Sequence, residues 1–217
     1  MNLPLQPPIE PMLALLSRDF PEGEGWIYEP KWDGFRALVF WDGDELYIQS
    51  RDCKPLARYF PELVQGLSRE LPVGAVLDGE IVIQGEDGLD FEALLLRIHP
   101  AASRISKLAL ETPASFVAFD LLAENGNSLM DTPFAERREH LIQIQPVAPL
   151  FLTPATRDVG TARTWFERFE GAGLDGVIAK KGDLGYRPDE RLMVKIKHQR
   201  TANVVVGGFR WAKEQEG

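Results

Sequence analysis

Residues 29–36 read Glu29-Pro30-Lys31-Trp32-Asp33-Gly34-Phe35-Arg36 and place four charged side chains and a glycine at a corner between two strand-like stretches. On an extended backbone Lys31 and Asp33 lie on the same face, because side chains alternate with a period of two. Gly34 permits a tight turn and the close approach of a neighbouring chain. An amine beside a carboxylate, with the guanidinium of Arg36 nearby, suits a ligand that carries phosphates and a sugar.

A lysine at such a corner can also serve as a nucleophile, but only as the neutral amine. A free lysine has a pKa near 10.4, so about one in 10³ to 10⁴ is neutral at pH 7. A nearby metal ion or further lysines lower the pKa of an amine of this kind. A nucleophilic role for Lys31 therefore requires other cations beside it in the fold.

Strand and helix patterns follow one another on both sides of the corner. Runs of β-forming residues predict strands at 26–29, 35–41, 45–49, 75–83, 115–122, 176–180, 192–197 and 204–207. Helical spacing and capping residues predict helices at 59–71, 90–98, 133–144 and 161–171, and Asp90 is the predicted N-cap of the second of these. The first strand is expected to end at Pro30. Strands outnumber helices and often form adjacent hairpins, as around Asp42-Gly43-Asp44 and Asn125-Gly126. This favours an α+β fold with antiparallel sheets over a doubly wound parallel sheet.

The composition is that of an ordinary globular protein and excludes several classes. The chain has 217 residues, 44 % of them hydrophobic and 26 % charged, and no apolar run approaches the length of a membrane span. Cys53 is the single cysteine, which excludes an intramolecular disulfide and a cysteine-based zinc site. The sequence contains no P-loop, no dinucleotide-binding glycine pattern and no G-x-S-x-G elbow. We expect a cytoplasmic protein without membrane contact.

Charge is distributed unevenly along the chain. The net charge is −9, so a basic footprint for nucleic acid over the whole chain is absent. Residues 178–217 nevertheless hold nine Lys and Arg against five Asp and Glu, which leaves this stretch at +4. A basic stretch beside an acidic body suits an anionic ligand that is held locally, although a solvated charged face has the same composition.

The corner sequence resembles motif I, K-x-D-G-x-R, of the covalent nucleotidyltransferases, the family of DNA ligases, RNA ligases and mRNA capping enzymes. Five further motifs follow in the family order, at residues 50–54 (motif Ia), 77–80 (III), 116–122 (IIIa), 175–180 (IV) and 194–197 (V). The lead-in Pro11-Met12-Leu13-Ala14 and the D-F-x-x-L-x-x-R pattern of residues 90–97 are similar to ATP-dependent DNA ligases, in particular the small bacterial ones.

This resemblance implies an α+β covalent nucleotidyltransferase fold, ATP-grasp-like, with two antiparallel β-sheets flanked by helices. It assigns residues 1–203 to an adenylation domain and residues 204–217 to the start of a linker and OB-fold domain. The chain is expected to be truncated there, so that the rest of the OB-fold domain is missing. That domain would be the partner in cis. The implied protein is the catalytic domain of an ATP-dependent DNA ligase. It is expected to be a cytoplasmic, nucleoid-associated monomer that acts on nicked double-stranded DNA in repair, replication or recombination.

The resemblance also assigns roles to individual residues. Lys31 would attack the α-phosphate of ATP and carry AMP covalently, and Lys195 and Lys197 would hold that phosphate. Glu80 and Asp175 would hold Mg²⁺ or Mn²⁺, with Asp175 in place of the usual glutamate. The implied nucleotide-binding residues are, besides the three lysines, Glu29, Arg36, Glu80, Phe119, Ile178 and Lys180, and the implied DNA-binding residues are Arg51 and Lys54.

Some positions depart from the family pattern, and some alternatives stay open. Cys53 and Asp189 stand where glycine is common, which puts the conformation of their loops in question, and Met193 replaces a frequent tryptophan. Motif I does not separate a DNA ligase from an RNA ligase or a GTP-using, mRNA-capping-type nucleotidyltransferase. A binding module without chemistry would lack the nucleophile or the motif V lysines, and both are present.

Overall fold

Ten strands, five α-helices and one short 3₁₀ helix (Ala57–Tyr59) make up the computed structural model, which describes residues 1–99, 101–168, 173–198 and 208. The strands are β1 (Leu13–Ser17), β2 (Trp26–Trp32), β3 (Phe35–Trp41), β4 (Leu46–Ser50), β5 (Ala75–Ile83), β6 (Ala114–Glu124), β7 (Asn127–Ser128), β8 (Leu150–Leu152), β9 (Leu174–Lys181) and β10 (Arg191–Ile196). The helices are α1 (Pro61–Glu70), α2 (Phe91–Leu96), α3 (Ala102–Glu111), α4 (Phe134–Gln143) and α5 (Val159–Arg168). Over these ranges, no helix has both the length and the apolar character that crossing a membrane requires.

The strands form two sheets. The four-stranded sheet has the order β1-β10-β9-β2, and the six-stranded sheet has the order β4-β3-β5-β6-β7 with β8 beside β6. Neighbouring strands are antiparallel except for β1 with β10 and β6 with β8, which are parallel. The predicted α+β fold of two antiparallel sheets flanked by helices is confirmed, and the two parallel pairs are an addition to it.

The six-stranded sheet is buried on both faces, as alternate residues of β3 show. Val39 belongs to the same apolar cluster as Leu63 of α1. Phe40 points the opposite way and belongs to a second cluster with Met193 of β10. This second cluster joins the two sheets, so the burial of apolar surface holds one sheet against the other.

The predicted hairpins and the predicted cap are confirmed. The turn at Asp42-Gly43-Asp44 joins β3 to β4, which pair antiparallel. The turn at Asn125-Gly126 joins β6 to β7 in the same way. Asp90 caps α2, because its Oδ1 accepts a hydrogen bond from the backbone N–H of Ala93 at 2.8 Å.

Pro30 does not end the first predicted strand, so that prediction is wrong. β2 continues through Pro30 to Trp32 along the edge of the four-stranded sheet. Two residues earlier, the N–H of Tyr28 points away from β9 and donates to the carbonyl oxygen of Thr156. The nitrogen of Pro30 faces the same outer side, where a missing N–H costs no hydrogen bond of the sheet.

The remaining differences concern elements that the sequence patterns do not show. β1, α3 and β8 have no counterpart among the predicted elements. The last predicted helix begins at Val159, and its predicted end at Gly171 lies outside the described residues. The predicted strand 204–207 also lies outside them, as do residues 204–217 of the predicted linker, apart from Gly208.

Four of the described residues adopt the left-handed backbone conformation without being glycine, namely Cys53, Asn125, Gln145 and Asp189. Cys53 has φ 59° and Asp189 has φ 60°, in the region that glycine occupies most readily. These are the two positions at which the resemblance places a glycine. The loops at Cys53 and Asp189 therefore have the backbone conformation that glycine favours, although neither residue is a glycine.

Gly176 in β9 offers a test of close packing between the strands. Its φ is +129°, and an added Cβ would collide with the carbonyl oxygen of Ile196 at the end of β10. We expect Gly176→Ala to lower the free energy of unfolding by about 1–3 kcal/mol, because the backbone would have to move apart. Urea denaturation measures this loss. Gly23→Ala is the matched control, since Gly23 has φ +97° but open space around it. An equal loss in both variants would contradict the proposed collision.

Candidate active site

A pocket between the two sheets gathers most of the predicted site residues. Strands of the four-stranded sheet contribute one wall, and β3, β5 and β6 of the other sheet contribute the second. The lining residues are Leu13, Ala14, Glu29, Pro30, Lys31, Trp32, Arg36, Arg51, Glu80, Phe119, Ile178, Lys180, Arg191, Met193 and Lys195. The fold thus brings together residues that are spread over most of the chain.

Lys31 lies in a chain of alternating charges. Its Nζ donates to Oδ2 of Asp175 at 3.0 Å, and the same oxygen is 2.6 Å from Nζ of Lys197. Burial by itself raises the pKa of the Asp175 carboxyl, but the hydrogen bonds from Lys197 and Lys31 outweigh it and hold the pKa below its usual value. One carboxylate therefore places two ammonium groups side by side.

Lys195 adds a third cation to this group. Burial lowers the pKa of its ammonium group, and the neighbouring charges of Lys197 and Lys31 lower it further. β10 presents every second residue to the pocket, so Arg191 and Met193 line it together with Lys195. Arg191 was not among the predicted site residues, although the same period of two points to it.

Glu80 reaches the pocket from β5. Burial raises the pKa of its carboxyl to about 8, against the opposing charges of Arg36 and Lys31. The backbone N–H of Gly34 hydrogen-bonds to this carboxyl. A Cβ on Gly34 would collide with the carbonyl oxygen of Ile81, so glycine allows the corner to approach β5 closely enough for this contact.

Arg36 is held in place by the buried carboxylate of Asp78. Its Nε and Nη2 donate to the two carboxylate oxygens of Asp78 at 3.0 and 2.6 Å. The hydroxyl of Tyr186 donates to Oδ2 of Asp78 at 2.7 Å and accepts the backbone N–H of Met12 at 3.0 Å. Asp78 is fully buried and stays outside the pocket lining, so its position orients Arg36 rather than a ligand.

Phe119 and Ile178 provide apolar surface on opposite sheets of the pocket. The guanidinium carbon of Arg36 is 5.4 Å from the centre of the Phe119 ring, and Nζ of Lys180 is 4.7 Å from it. Phe119 is half-buried and lines the pocket, unlike the fully buried residues on either side of it in β6. This placement favours contact with a ligand over a purely structural role in the core.

Phe119→Ala provides a test of that contact. We expect the variant to weaken ATP binding by about 1–3 kcal/mol, on the scale of base–aromatic stacking. Isothermal titration calorimetry measures the change. Phe151→Ala is the control, because Phe151 on β8 is exposed and lies outside the lining. A variant with a strongly lowered melting temperature and unchanged ATP affinity would show that Phe119 belongs to the core.

Glu29 and Lys180 form a buried ion pair at one end of the pocket. Nζ of Lys180 is 2.7 Å from Oε2 of Glu29 and donates to the carbonyl oxygen of Phe119 at 3.2 Å. Nη1 of Arg138 donates to Oε1 of Glu29 at 2.8 Å. Burial raises the pKa of Glu29, and both cations oppose this rise. The ammonium group of Lys180 thus faces Glu29 and the Phe119 ring.

The two predicted DNA-binding residues differ in position. Arg51 lines the pocket and also a neighbouring depression, which Cys53 and Asp189 line as well. Lys54 is exposed and lies outside the lining. Trp32, Leu13 and Ala14 also line the pocket without having been predicted to do so, although Trp32 belongs to motif I and the other two belong to the predicted lead-in.

The predicted metal ligands are compatible with a hard divalent cation. The carboxyl groups of Glu80 and Asp175 both face Lys31. Mg²⁺ commonly takes one or two protein carboxylates and completes its shell with phosphate oxygens and water. Among the described residues, no group of three or more His, Cys, Asp or Glu side chains is arranged to hold a metal ion alone. The donor set fits a cation that arrives with a nucleotide.

Comparison with known proteins identifies relatives over nearly the whole chain. The family model of the ATP-dependent DNA ligase domain matches residues 11–197. DNA ligase C2 of Mycolicibacterium smegmatis is 54 % identical over 98 % of this chain, and DNA ligase C of Mycobacterium tuberculosis is 52 % identical over 97 % of it. The chain spans 60 % of the length of each of these two relatives.

The fold has a solved counterpart among ligases. The crystal structure of the ligase domain of Mycobacterium tuberculosis LigD superimposes with a TM-score of 0.69 at 30 % identity. The match covers 88 % of this chain and 59 % of that one. Similarity in sequence and similarity in fold therefore point to the same group of proteins.

Proposed function

Because this chain belongs to the ATP-dependent DNA ligase family, we propose that it forms a lysyl-AMP intermediate on Lys31 and uses it to seal nicks in double-stranded DNA. The observation that carries the proposal is the position of Lys31 in the pocket, with Lys197 and Lys195 beside it. A surface lysine would have no such set of neighbouring cations. In the whole protein, AMP passes from Lys31 to the 5′-phosphate at the nick, and the 3′-hydroxyl then displaces AMP to form the phosphodiester.

The first step is an in-line displacement at the α-phosphate. Lys31 gives up a proton to solvent water, the bond between Nζ and phosphorus forms, and the bond to the bridging oxygen of the β-phosphate breaks, which releases pyrophosphate. Asp175 holds Nζ of Lys31 at 3.0 Å, so the nucleophile is oriented before ATP arrives. Lys195 and Lys197 lie where they stabilise the negative charge that develops on the α-phosphate oxygens.

The nucleotide and the metal use different parts of the pocket. Glu29, Arg36, Phe119, Ile178 and Lys180 surround the base and ribose in this proposal. Glu80 and Asp175 would hold Mg²⁺ or Mn²⁺, which supplies charge neutralisation for the phosphates when it is bound. Arg51 and Lys54 extend the cationic surface toward the 5′-phosphate of DNA.

The wider setting is also part of the proposal. Residues 1–203 act as the adenylation domain. Residues 204–217 lead into an OB-fold domain that completes the DNA-binding surface. The acting form is a monomer at the nucleoid, in repair, replication or recombination. Its relatives named as DNA ligases support this setting.

Labelling with radioactive nucleotide tests the proposed reaction. We expect the chain to become labelled by α-³²P-ATP in the presence of Mg²⁺, with little label from α-³²P-GTP and none after EDTA. Peptide mapping should place the label on Lys31. Labelling by GTP would favour the capping alternative.

The substrate is tested in a second step. The labelled chain is mixed with nicked DNA or nicked RNA, and transfer of AMP to the 5′-phosphate is followed by gel electrophoresis. We expect transfer to DNA. Transfer to RNA alone would favour the RNA ligase alternative.

A further inference from the structure

The carboxylate of Glu29 is enclosed by two cations that come from different elements. Its side chain is 2 % exposed, with Lys180 of β9 at one oxygen and Arg138 of α4 at the other. Glu29 and Lys180 belong to neighbouring strands, whereas Arg138 is 109 residues away along the chain. Arg138 is absent from the pocket lining and reaches Glu29 from behind the wall.

The second arm of Arg138 holds another part of the same wall. Its Nη2 donates to the carbonyl oxygen of Thr153 at 2.6 Å. Oγ1 of the fully buried Thr153 accepts a hydrogen bond from Nε1 of Trp32 at 2.9 Å. Glu29 and Trp32 flank Lys31 in β2, and both line the pocket. One guanidinium therefore connects to the wall on both sides of Lys31 without entering the space for the nucleotide.

This arrangement determines what Glu29 presents to a ligand. An ionised carboxylate is an acceptor only, and its oxygens offer about four acceptor positions, of which the two cations occupy two. Burial favours the neutral acid, and the charges of Arg138 and Lys180 oppose this tendency. An acceptor in this position attracts the 6-amino group of adenine and repels a 6-oxo group.

We propose that Arg138 is a positioning residue for base selectivity: by gripping Glu29 and Thr153 together, it orients the carboxylate that favours a 6-aminopurine nucleotide over a 6-oxopurine nucleotide. The inference rests on the proposed function, because it takes the pocket to bind a nucleoside triphosphate with its base near Glu29. Lysine at this position would not be equivalent, since an ammonium group lacks the planar fork that reaches two acceptors in fixed geometry.

The test compares ATP with ITP, which carries a 6-oxo group, in the full 217-residue chain. Dissociation constants are measured by calorimetry with Mg²⁺ in a Lys31→Arg background, in which no transfer step consumes the nucleotide. The variants are Arg138→Met and Arg138→Lys. The matched control is Arg163→Met, which removes an exposed arginine that pairs with Glu22 at 2.7 Å.

We expect the preference for ATP over ITP to fall about tenfold in Arg138→Met, the scale of one hydrogen bond to a charged group. The preference of the Arg138→Lys variant for ATP over ITP should lie between that of Arg138→Met and that of the parent with Arg138. The Arg163→Met variant should keep the parent preference. A loss of general stability would weaken the binding of both nucleotides alike and leave their ratio unchanged.

Three results would overturn the inference. The first is an unchanged ratio in a folded Arg138→Met variant, and the second is the absence of any preference for ATP in the parent. The third result applies if thermal melting shows that Arg138→Met does not fold. In that case an unchanged ratio of ATP to ITP affinity in Arg138→Lys would overturn the inference. The ratio concerns binding at the base, whereas radioactive labelling concerns transfer to Lys31, so the two results distinguish a failure of this inference from a failure of the proposed function.

Discussion

Lys31→Arg is expected to lose lysyl-AMP formation by about 10³-fold or more, the scale for removal of a nucleophile. Arginine keeps the positive charge that faces Asp175, but its guanidinium is essentially never neutral. The variant therefore separates nucleophilicity from charge. Mass spectrometry of the intact chain, after incubation with ATP and Mg²⁺, measures the AMP adduct.

Lys107→Arg is the matched control for this experiment. Lys107 is exposed on α3, pairs with Glu111 at 3.7 Å and is absent from the pocket lining. The same substitution at this place should leave the adduct unchanged. An AMP adduct on the Lys31→Arg variant would refute the assignment of the nucleophile.

Lys195→Met is expected to slow adenylation by about 10²–10³-fold, the scale for loss of one group that stabilises developing charge. Methionine has a similar unbranched side chain and fills the same volume without the charge. Lys195 lines the pocket beside the Lys31–Asp175–Lys197 group, so its ammonium group is near the reacting phosphate in the proposed reaction. Single-turnover labelling at saturating ATP measures the rate, and calorimetry measures the affinity for ATP.

The split between rate and affinity decides what Lys195 does. A group that acts in the transition state changes the rate at saturating ATP more than it changes affinity. Lys107→Met serves as the control for loss of a lysine at an exposed site. If the rate at saturating ATP stays the same and only the affinity falls, then Lys195 binds ATP without stabilising the transition state.

The family was predictable from the sequence because its motifs are local. Residues such as Lys31, Asp33 and Gly34 lie within one short corner, and the family model that covers residues 11–197 confirms the resemblance. The individual residue roles stay predictions, which the proposed experiments test. Cys53 and Asp189 show that a loop can adopt the left-handed conformation that glycine favours even where another residue stands.

Local patterns also determined the hairpins and most of the helices. The turn at Asp42-Gly43-Asp44, the cap at Asp90 and the exposure of every second β10 residue to the pocket each depend on residues a few positions apart. Short-range sterics and hydrogen bonds decide such features, so the sequence alone is sufficient to predict them.

Only the tertiary structure decided the pairs that hold the site together. Lys31 meets Asp175 across 144 positions, and Arg138 meets Glu29 across 109. β1 and β8 are short strands that exist because a parallel partner is brought to them by the fold. Such contacts depend on how two sheets pack, which is settled by the burial of apolar surface over the whole molecule and leaves no signal in any short stretch of sequence.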